Sequence, residues 1–158
     1  MGAPIEAHNL KPAATWNSAG ARYDDISRGI ADSIEHCVLR LNPQPGEYIL
    51  DLATGTGWTS RVLARRGVKV IGLDLGADLI ATARERAKAE GLDVAYRVGD
   101  AEKLPFADGE FDAVVSTCGV MFASRPEAAA SEIARAARAA GSPKPPGFPT
   151  AMSSRCSW

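Results

Sequence analysis

Tyr48-Ile-Leu-Asp-Leu-Ala-Thr-Gly-Thr-Gly57 is the stretch whose reading decides the fold. Tyr48 to Ala53 is short and mostly apolar, as a parallel strand buried on both faces requires, and the glycines after it break the strand sharply. Trp58 to Arg66 then reads as a helix. Downstream the unit recurs: Val68 to Asp74 predicts a second strand, and Ala77 to Glu90, with Leu79, Ile80, Ala83 and Ala87 on one face and Gly91 as its stop, predicts a second helix. Asp93 to Val98 and Phe111 to Thr117 read as third and fourth strands, followed by an alanine-rich helix from about Pro126 to Ala140. Upstream, Ile26, Ile30, Ile34, Val38 and Leu41 recur at helical spacing, predicting one amphipathic helix over Asp24 to Leu41, ended by Asn42-Pro43 and Pro45-Gly46. Strands alternating with helices predict an α/β, Rossmann-like fold: a mostly parallel sheet with right-handed crossovers and helices on both faces.

Composition narrows the partners. The 158 residues are 46% apolar and 23% charged, with a net charge of −1, which suits one globular domain with a real core. Lys and Arg alternate with acids and form no basic stripe, so nucleic acid is not an expected partner. No apolar run approaches the roughly 18 residues that span a bilayer, and Met1 to Pro12 lacks a signal-peptide core, so the reading is cytoplasmic with no membrane partner. Cys37, Cys118 and Cys156 have no paired spacing, and His8 and His36 stand apart from any ligand cluster; neither a disulfide framework nor a metal is predicted.

In such a sheet ligands bind beyond the carboxyl ends of the strands, which directs attention to the residues just after each one. Following the first strand, Asp51, Ala53, Thr54, Gly55 and Gly57 form a turn that lets a ligand approach the backbone closely, with the next helix aiming its free N–H groups there. Asp74, followed by Leu75, ends the second strand, where a carboxylate can accept both hydroxyl protons of a ribose. These features suit both S-adenosylmethionine and a dinucleotide. Two details favour the former: Ser60 stands where dinucleotide loops carry a third glycine, and Asp51 would repel a pyrophosphate but suit an ammonium group. After the third strand, Asp100, Ala101 and Glu102 can frame an adenine.

Ile49-Leu-Asp-Leu-Ala-Thr-Gly-Thr-Gly57, Val70-Ile-Gly-Leu-Asp74, Gly99-Asp-Ala-Glu-Lys-Leu-Pro-Phe106 and Phe111-Asp-Ala-Val-Val115 together resemble class I S-adenosylmethionine-dependent methyltransferases, in particular the small-molecule group that includes the ubiquinone and menaquinone biosynthesis enzymes. The resemblance covers about residues 20 to 140. It implies that Gly55 and Gly57 line the methionyl and ribose portion of S-adenosylmethionine, that Asp51 sits near the methionyl ammonium, and that Asp74 binds the ribose. It further implies that Asp100 accepts from the adenine amine beside Ala101, that Thr117 and Cys118 lie near the sulfonium, and that Tyr23 belongs to an N-terminal segment folding over the cofactor. Tyr23 and Trp16 read equally as core aromatics of that capping segment, and Met121 and Phe122 read as apolar packing under a loop, with flanking an apolar acceptor as the alternative.

The residues after the fourth strand lack the Asn/Asp-Pro-Pro-Tyr/Phe motif of nitrogen methylators, so the implied acceptor is an oxygen or carbon of a small molecule. A module that binds S-adenosylmethionine without turnover and an NAD-dependent oxidoreductase are the alternatives. The organisation reads as a capping segment over 1–45, a cofactor-binding core over 46–140 and an irregular tail over 141–158. The tail departs from the family: Pro143, Pro145, Pro146 and Pro149 stand where the family continues with three more strands, suggesting a gene truncated or shifted out of frame near residue 140. The fourth strand would then be a bare edge, predicting a homodimer through it.

Overall fold

Strand β1 (Tyr48–Leu52) is at the centre of the sheet, paired with a parallel strand on each side, and every residue of it after Tyr48 is buried. Around it run β2 (Lys69–Asp74), β3 (Ala95–Val98), β4 (Ala113–Val115) and β5 (Arg155–Ser157), all parallel, in the order β3-β2-β1-β4-β5. These elements belong to a computed structural model that describes residues 4–139 and 155–157. Helices α1 (Leu10–Asn17), α2 (Tyr23–Gly29), α3 (Ala31–Leu41), α4 (Trp58–Arg65), α5 (Ala77–Ala89) and α6 (Pro126–Ala136) complete the chain.

Alternation along the strands builds two cores. Leu50 and Leu52 of β1, with Ile71, Leu73 and Val114, point to one face and pack with Phe106, Phe111 and Ile133. Ile49, Val70, Ala113 and Val115 point to the other and meet Val38 and Leu41 of α3 and Val62 and Leu63 of α4. Period-two side chains on strands covered on both sides are what make every residue of β1 after Tyr48 buried. A third cluster joins Ile80, Ala83 and Ala87 of α5 to Tyr96 of β3.

Three boundaries in particular differ from the sequence reading. The single helix over Asp24 to Leu41 is two, broken at Ile30, whose φ of −116° and ψ of 18° leave the helical region after Gly29. Ile26 is 57% exposed while Asp24 and Ser27 are buried, so α2 turns its polar side inward, which apolar periodicity could not register. Helix α6 stops at Ala136 because the next residues return to the sheet edge: the Phe111 N–H donates to the Ala136 carbonyl, and the Arg138 N–H to that of Phe111. The Arg138 guanidinium then pairs with the buried Asp112 carboxylate at 2.5 Å. Strand β4 is shorter than predicted, three residues in place of seven.

The tail bears on the expected dimer. Residues 140–154 and Trp158, which carry the proline-rich stretch read as irregular, lie outside the described residues. Arg155–Ser157, however, form β5 and pair with β4 in the register Ala113↔Arg155, Val114↔Cys156, Val115↔Ser157. The outer edge of β4 is therefore occupied, and the premise of a homodimer through a bare β4 edge is removed: N–H and C=O groups already in a ladder offer nothing to a second chain.

Phe111 is fully buried between Tyr48 and Phe106, with ring centroids 4.8 Å away in both cases. Phe111→Ala is expected to destabilise the fold by about 3–5 kcal/mol in urea unfolding, whereas Met121→Ala, on the surface, should change it by less than about 0.5 kcal/mol.

Candidate functional site

At the carboxyl ends of the strands the chain opens into one cleft. Ala53 and Gly55 line it after β1, Asp74 and Leu75 at the end of β2, Gly99 and Ala101 after β3, and Gly119 and Val120 after β4. Trp16 of α1 and Tyr23 of α2 close it from the N-terminal segment, joined by Phe122. The Trp16 ring stands edge-on to Tyr23 at 6.2 Å and tilted against Phe122 at 5.2 Å, so the three rings form one wall.

Asp74 is the charged group of this cleft. Its Oδ2 accepts from the Gly55 N–H at 2.9 Å and its Oδ1 from the Gly76 N–H at 2.9 Å. Burial pushes the carboxyl above the ordinary range and these backbone donors oppose the rise. A carboxylate offers about four acceptor positions, so capacity remains for donors arriving from the cleft. Tyr23, the other ionisable residue of the lining, is raised by burial and by Asp74 and Cys118, which keeps its phenol neutral. A Cβ added to Gly55 would press on the Tyr23 ring at 3.1 Å, so lid and turn are fitted to one another at that glycine.

The lid is also tied to the turn by charge. Thr56 Oγ1 donates to Asp24 Oδ1 at 3.1 Å, and Arg61 Nη1 donates to the Thr56 carbonyl at 2.7 Å. Arg61 is 3.6 Å from Asp24, and both are buried. The inward polar side of α2 thus anchors the residue next to Tyr23.

Six of the expected site residues, Tyr23, Ala53, Gly55, Asp74, Leu75 and Ala101, come together on the cleft. The other six do not line it. Asp51 is sealed beneath the turn, where its Oδ2 accepts from Thr54 Oγ1 and Ser60 Oγ, each at 2.6 Å, and Thr54 and Ser60 touch one another at 2.9 Å. Ser60, read as the departure from a glycine motif, is the partner that holds this acid. Gly57, with φ of +78°, is required for packing: a Cβ there would lie 2.3 Å from the Tyr96 hydroxyl oxygen. Thr117 shares a hydrogen bond with Thr59 at 3.0 Å.

Asp100, expected to face an adenine amine, is 1% exposed and engaged by the N-terminal segment: Asn9 Nδ2 donates to both of its oxygens, at 3.1 and 2.9 Å, and the Glu6 N–H donates at 3.0 Å. Glu102 is likewise taken up, by His8 Nε2 at 2.6 Å and by the N–H and Nε of Arg125 at 2.8 and 3.0 Å. Burial works to raise the Glu102 carboxyl, but the hydrogen bonds of His8 and Arg125 outweigh it and hold the group at about 2.

Several cleft residues were not legible beforehand. Phe122 and Met121 are 56% and 73% exposed, which corrects their reading as packing under a loop, and Phe122 faces the cleft. Leu79 had been assigned to the core by its helical face. Trp16 joins the wall through tertiary packing that no spacing announces. Among the described residues no cluster of three or more His, Cys, Asp or Glu is arranged to hold a metal, and no helix is long and apolar enough to cross a membrane.

Residues 49–141 match the protein family described as methyltransferase domain. A demethylmenaquinone methyltransferase of Beutenbergia cavernae is 43% identical over 134 residues, which cover 82% of this chain and 54% of that protein. An uncharacterized protein of Mycobacterium tuberculosis is 47% identical over 96 residues, covering 61% of this chain and 35% of its own. Among solved structures, the YcgJ protein of Bacillus subtilis superimposes with a TM-score of 0.64 at 26% identity, over 67% of this chain and 46% of that one. The chain thus spans between about a third and about half of the length of these curated relatives.

The Asp51 carboxyl supplies a test of the turn. Burial raises it from 3.8 to about 6 against the opposing bonds from Ser60 and Thr54. Because the folded-state value lies above the unfolded one, the contribution is fully present below about pH 4 and lost as pH rises through 6. Thermal unfolding should show stability falling across that window by on the order of 3 kcal/mol, and Asp51→Asn should flatten the profile.

Proposed function

The chain belongs to the methyltransferase-domain family of class I S-adenosylmethionine-dependent enzymes, and on that premise we propose that it binds S-adenosylmethionine in the cleft headed by Asp74 and methylates an oxygen or carbon of a small molecule. The observation that carries the proposal is Asp74 itself, a buried carboxylate at the end of β2, braced by the Gly55 N–H and open to the cleft. Two vicinal hydroxyls of a ribose are the donors that such a group suits. Leu75, Leu79 and Ala101 supply apolar walls for a flat base, and Gly55 lets the backbone approach the ligand.

Bound there, S-adenosylmethionine supplies a methyl group on a sulfonium, ready for in-line displacement. The chain's own contribution is to orient and to exclude water. Trp16, Tyr23 and Phe122 wall the cleft with rings that leave little room for solvent, and alignment of nucleophile and methyl carbon provides most of the rate in such a reaction. Neither ionisable lining residue is suited to be a strong general base: Asp74 is engaged by backbone donors and Tyr23 stays protonated. The acceptor therefore brings its own nucleophilicity, as an ionised oxygen or an enolate-like carbon does. The aromatic wall favours an acceptor with an apolar body.

A second reading is binding without turnover, in keeping with a cleft lining that offers no strong general base. Calorimetric titration with S-adenosylhomocysteine, with NAD as the control, addresses the cofactor. Saturable binding of the former alone, weakened at least about tenfold by Asp74→Ala, is the expected result, since that substitution removes a charged acceptor of two hydroxyls. NAD binding with equal affinity, or indifference to Asp74→Ala, would overturn the assignment. Methyl transfer from radiolabelled S-adenosylmethionine to phenolic and enolic acceptors then separates an enzyme from a binding module.

A further inference from the structure

Asp100 is where resemblance and geometry part. Family likeness implies that its carboxylate accepts from an adenine amine, yet both of its oxygens are buried and already engaged from within the chain. Oδ1 accepts from Asn9 Nδ2 at 3.1 Å and from the Glu102 N–H at 2.9 Å; Oδ2 accepts from Asn9 Nδ2 at 2.9 Å and from the Glu6 N–H at 3.0 Å. An amide nitrogen this close to both oxygens shares one hydrogen between them, so three N–H donors, from Asn9, Glu102 and Glu6, engage the carboxylate from the protein side. The flanking residues Gly99 and Ala101 line the cleft and Asp100 does not, so its side chain is directed into the protein between them.

The partner is equally committed. Asn9 is 2% exposed, and while its amide nitrogen donates to Asp100 its Oδ1 accepts from Ser124 Oγ at 2.6 Å. One side chain thereby joins the N-terminal segment, the loop after β3 and the segment before α6. One residue earlier, His8 reaches Glu102, which also takes both donors of Arg125. Helix α1 begins at the next residue, Leu10, and carries Trp16 to the wall of the cleft. At the other end of α1 the Asn17 side chain exchanges two hydrogen bonds with Asp78 of α5, at 2.8 and 2.6 Å, so the Trp16 ring is held from both ends of its helix.

We propose that Asp100 is the buried latch of the N-terminal lid and not the acceptor of a nucleobase amine, so that the base is held by the apolar walls and the lid alone. Asp100 is in this sense a positioning residue, acting through Asn9 and α1 on Trp16. The inference rests on the cofactor reading above where it concerns the base, and on geometry alone where it concerns the latch. It carries a specificity consequence. A site built to hydrogen-bond an amine rejects the analogue lacking it by orders of magnitude, whereas a site of apolar walls tolerates it.

The full chain can be tested in two measurements. Without ligand, hydrogen exchange of residues 6–17 is compared in the wild type, Asn9→Leu and Asp100→Asn. Asn9→Leu alters a terminal segment and leaves both cores untouched, so it keeps the test valid should Asp100→Asn fold poorly. Exchange faster by about tenfold or more in Asn9→Leu is expected from loss of a charge-assisted bond, and unchanged exchange would overturn the latch. With ligand, calorimetry compares S-adenosylhomocysteine with S-inosylhomocysteine, in which a carbonyl replaces the amine. Expected are wild-type affinities within about threefold of one another, and an equal weakening of both by Asn9→Leu. A preference for the adenosyl compound of about a hundredfold or more, abolished by Asp100→Asn, would return Asp100 to the base and refute the proposal. No binding of either compound to folded wild type would end the cofactor reading, while the exchange measurement would still decide the latch.

Discussion

A single carboxylate buried under the first turn, that of Asp51, sets the platform on which the cleft stands. Both hydroxyls that satisfy it, Thr54 and Ser60, come from the turn and from the first residues of α4, so one acid ties the end of β1 to the start of the following helix. Burying an ion is unfavourable unless it is hydrogen-bonded, and here the burial is expressed as a carboxyl displaced to about 6. With the turn fixed in this way, Gly55 presents its N–H to Asp74 across the gap between β1 and β2. The cleft is thus organised by acids held by hydrogen bonds, and its walls are otherwise apolar.

Three carboxylates at the same end of the sheet illustrate how the same residue type serves different ends. Asp51 is enclosed and structural. Asp74 keeps an open side toward the cleft. Asp100 is enclosed and engaged by the N-terminal segment and by the Glu102 N–H. What separates them is access to the cleft, which Asp74 lines and Asp51 and Asp100 do not, and this decides whether a group recognises a ligand or holds the fold together.

The N-terminal segment gains its importance through the same logic. Its residues reach the rim of the cleft through Asn9 and His8 to the loop after β3, through Asn17 to Asp78 at the start of α5 and through Asp24 to the glycine turn, and the rings of Trp16 and Tyr23 are carried between those anchor points. The lid is therefore part of the folded domain. Its inward polar side explains why α2 and α3 are separate helices: Asp24 and Ser27 point into the turn while Ile34 and Val38 point into the core, and one straight amphipathic helix cannot present both faces in the required directions.

By itself the sequence determined the layered α/β fold, the succession of its first four strands along the chain and the position of the cleft. Those properties are local: a buried strand must be a continuous apolar run, a covering helix must repeat its apolar residues every three to four positions, and a sharp strand-to-helix turn needs glycine. Gly55, Asp74 and Ala101 were legible for the same reason, since residues at strand ends in a parallel sheet are carried to one side, whereas Tyr23 was expected only from the family resemblance. Tertiary structure alone decided which polar atoms remained available. That Asp100 is filled by Asn9, 91 positions away, that Glu102 is filled by His8, 94 away, and that Gly57 makes room for Tyr96, 39 away, depends on which segments meet. Spacing along a chain specifies the direction in which a side chain points, but the saturation of a carboxylate is settled by donors that only packing brings to it.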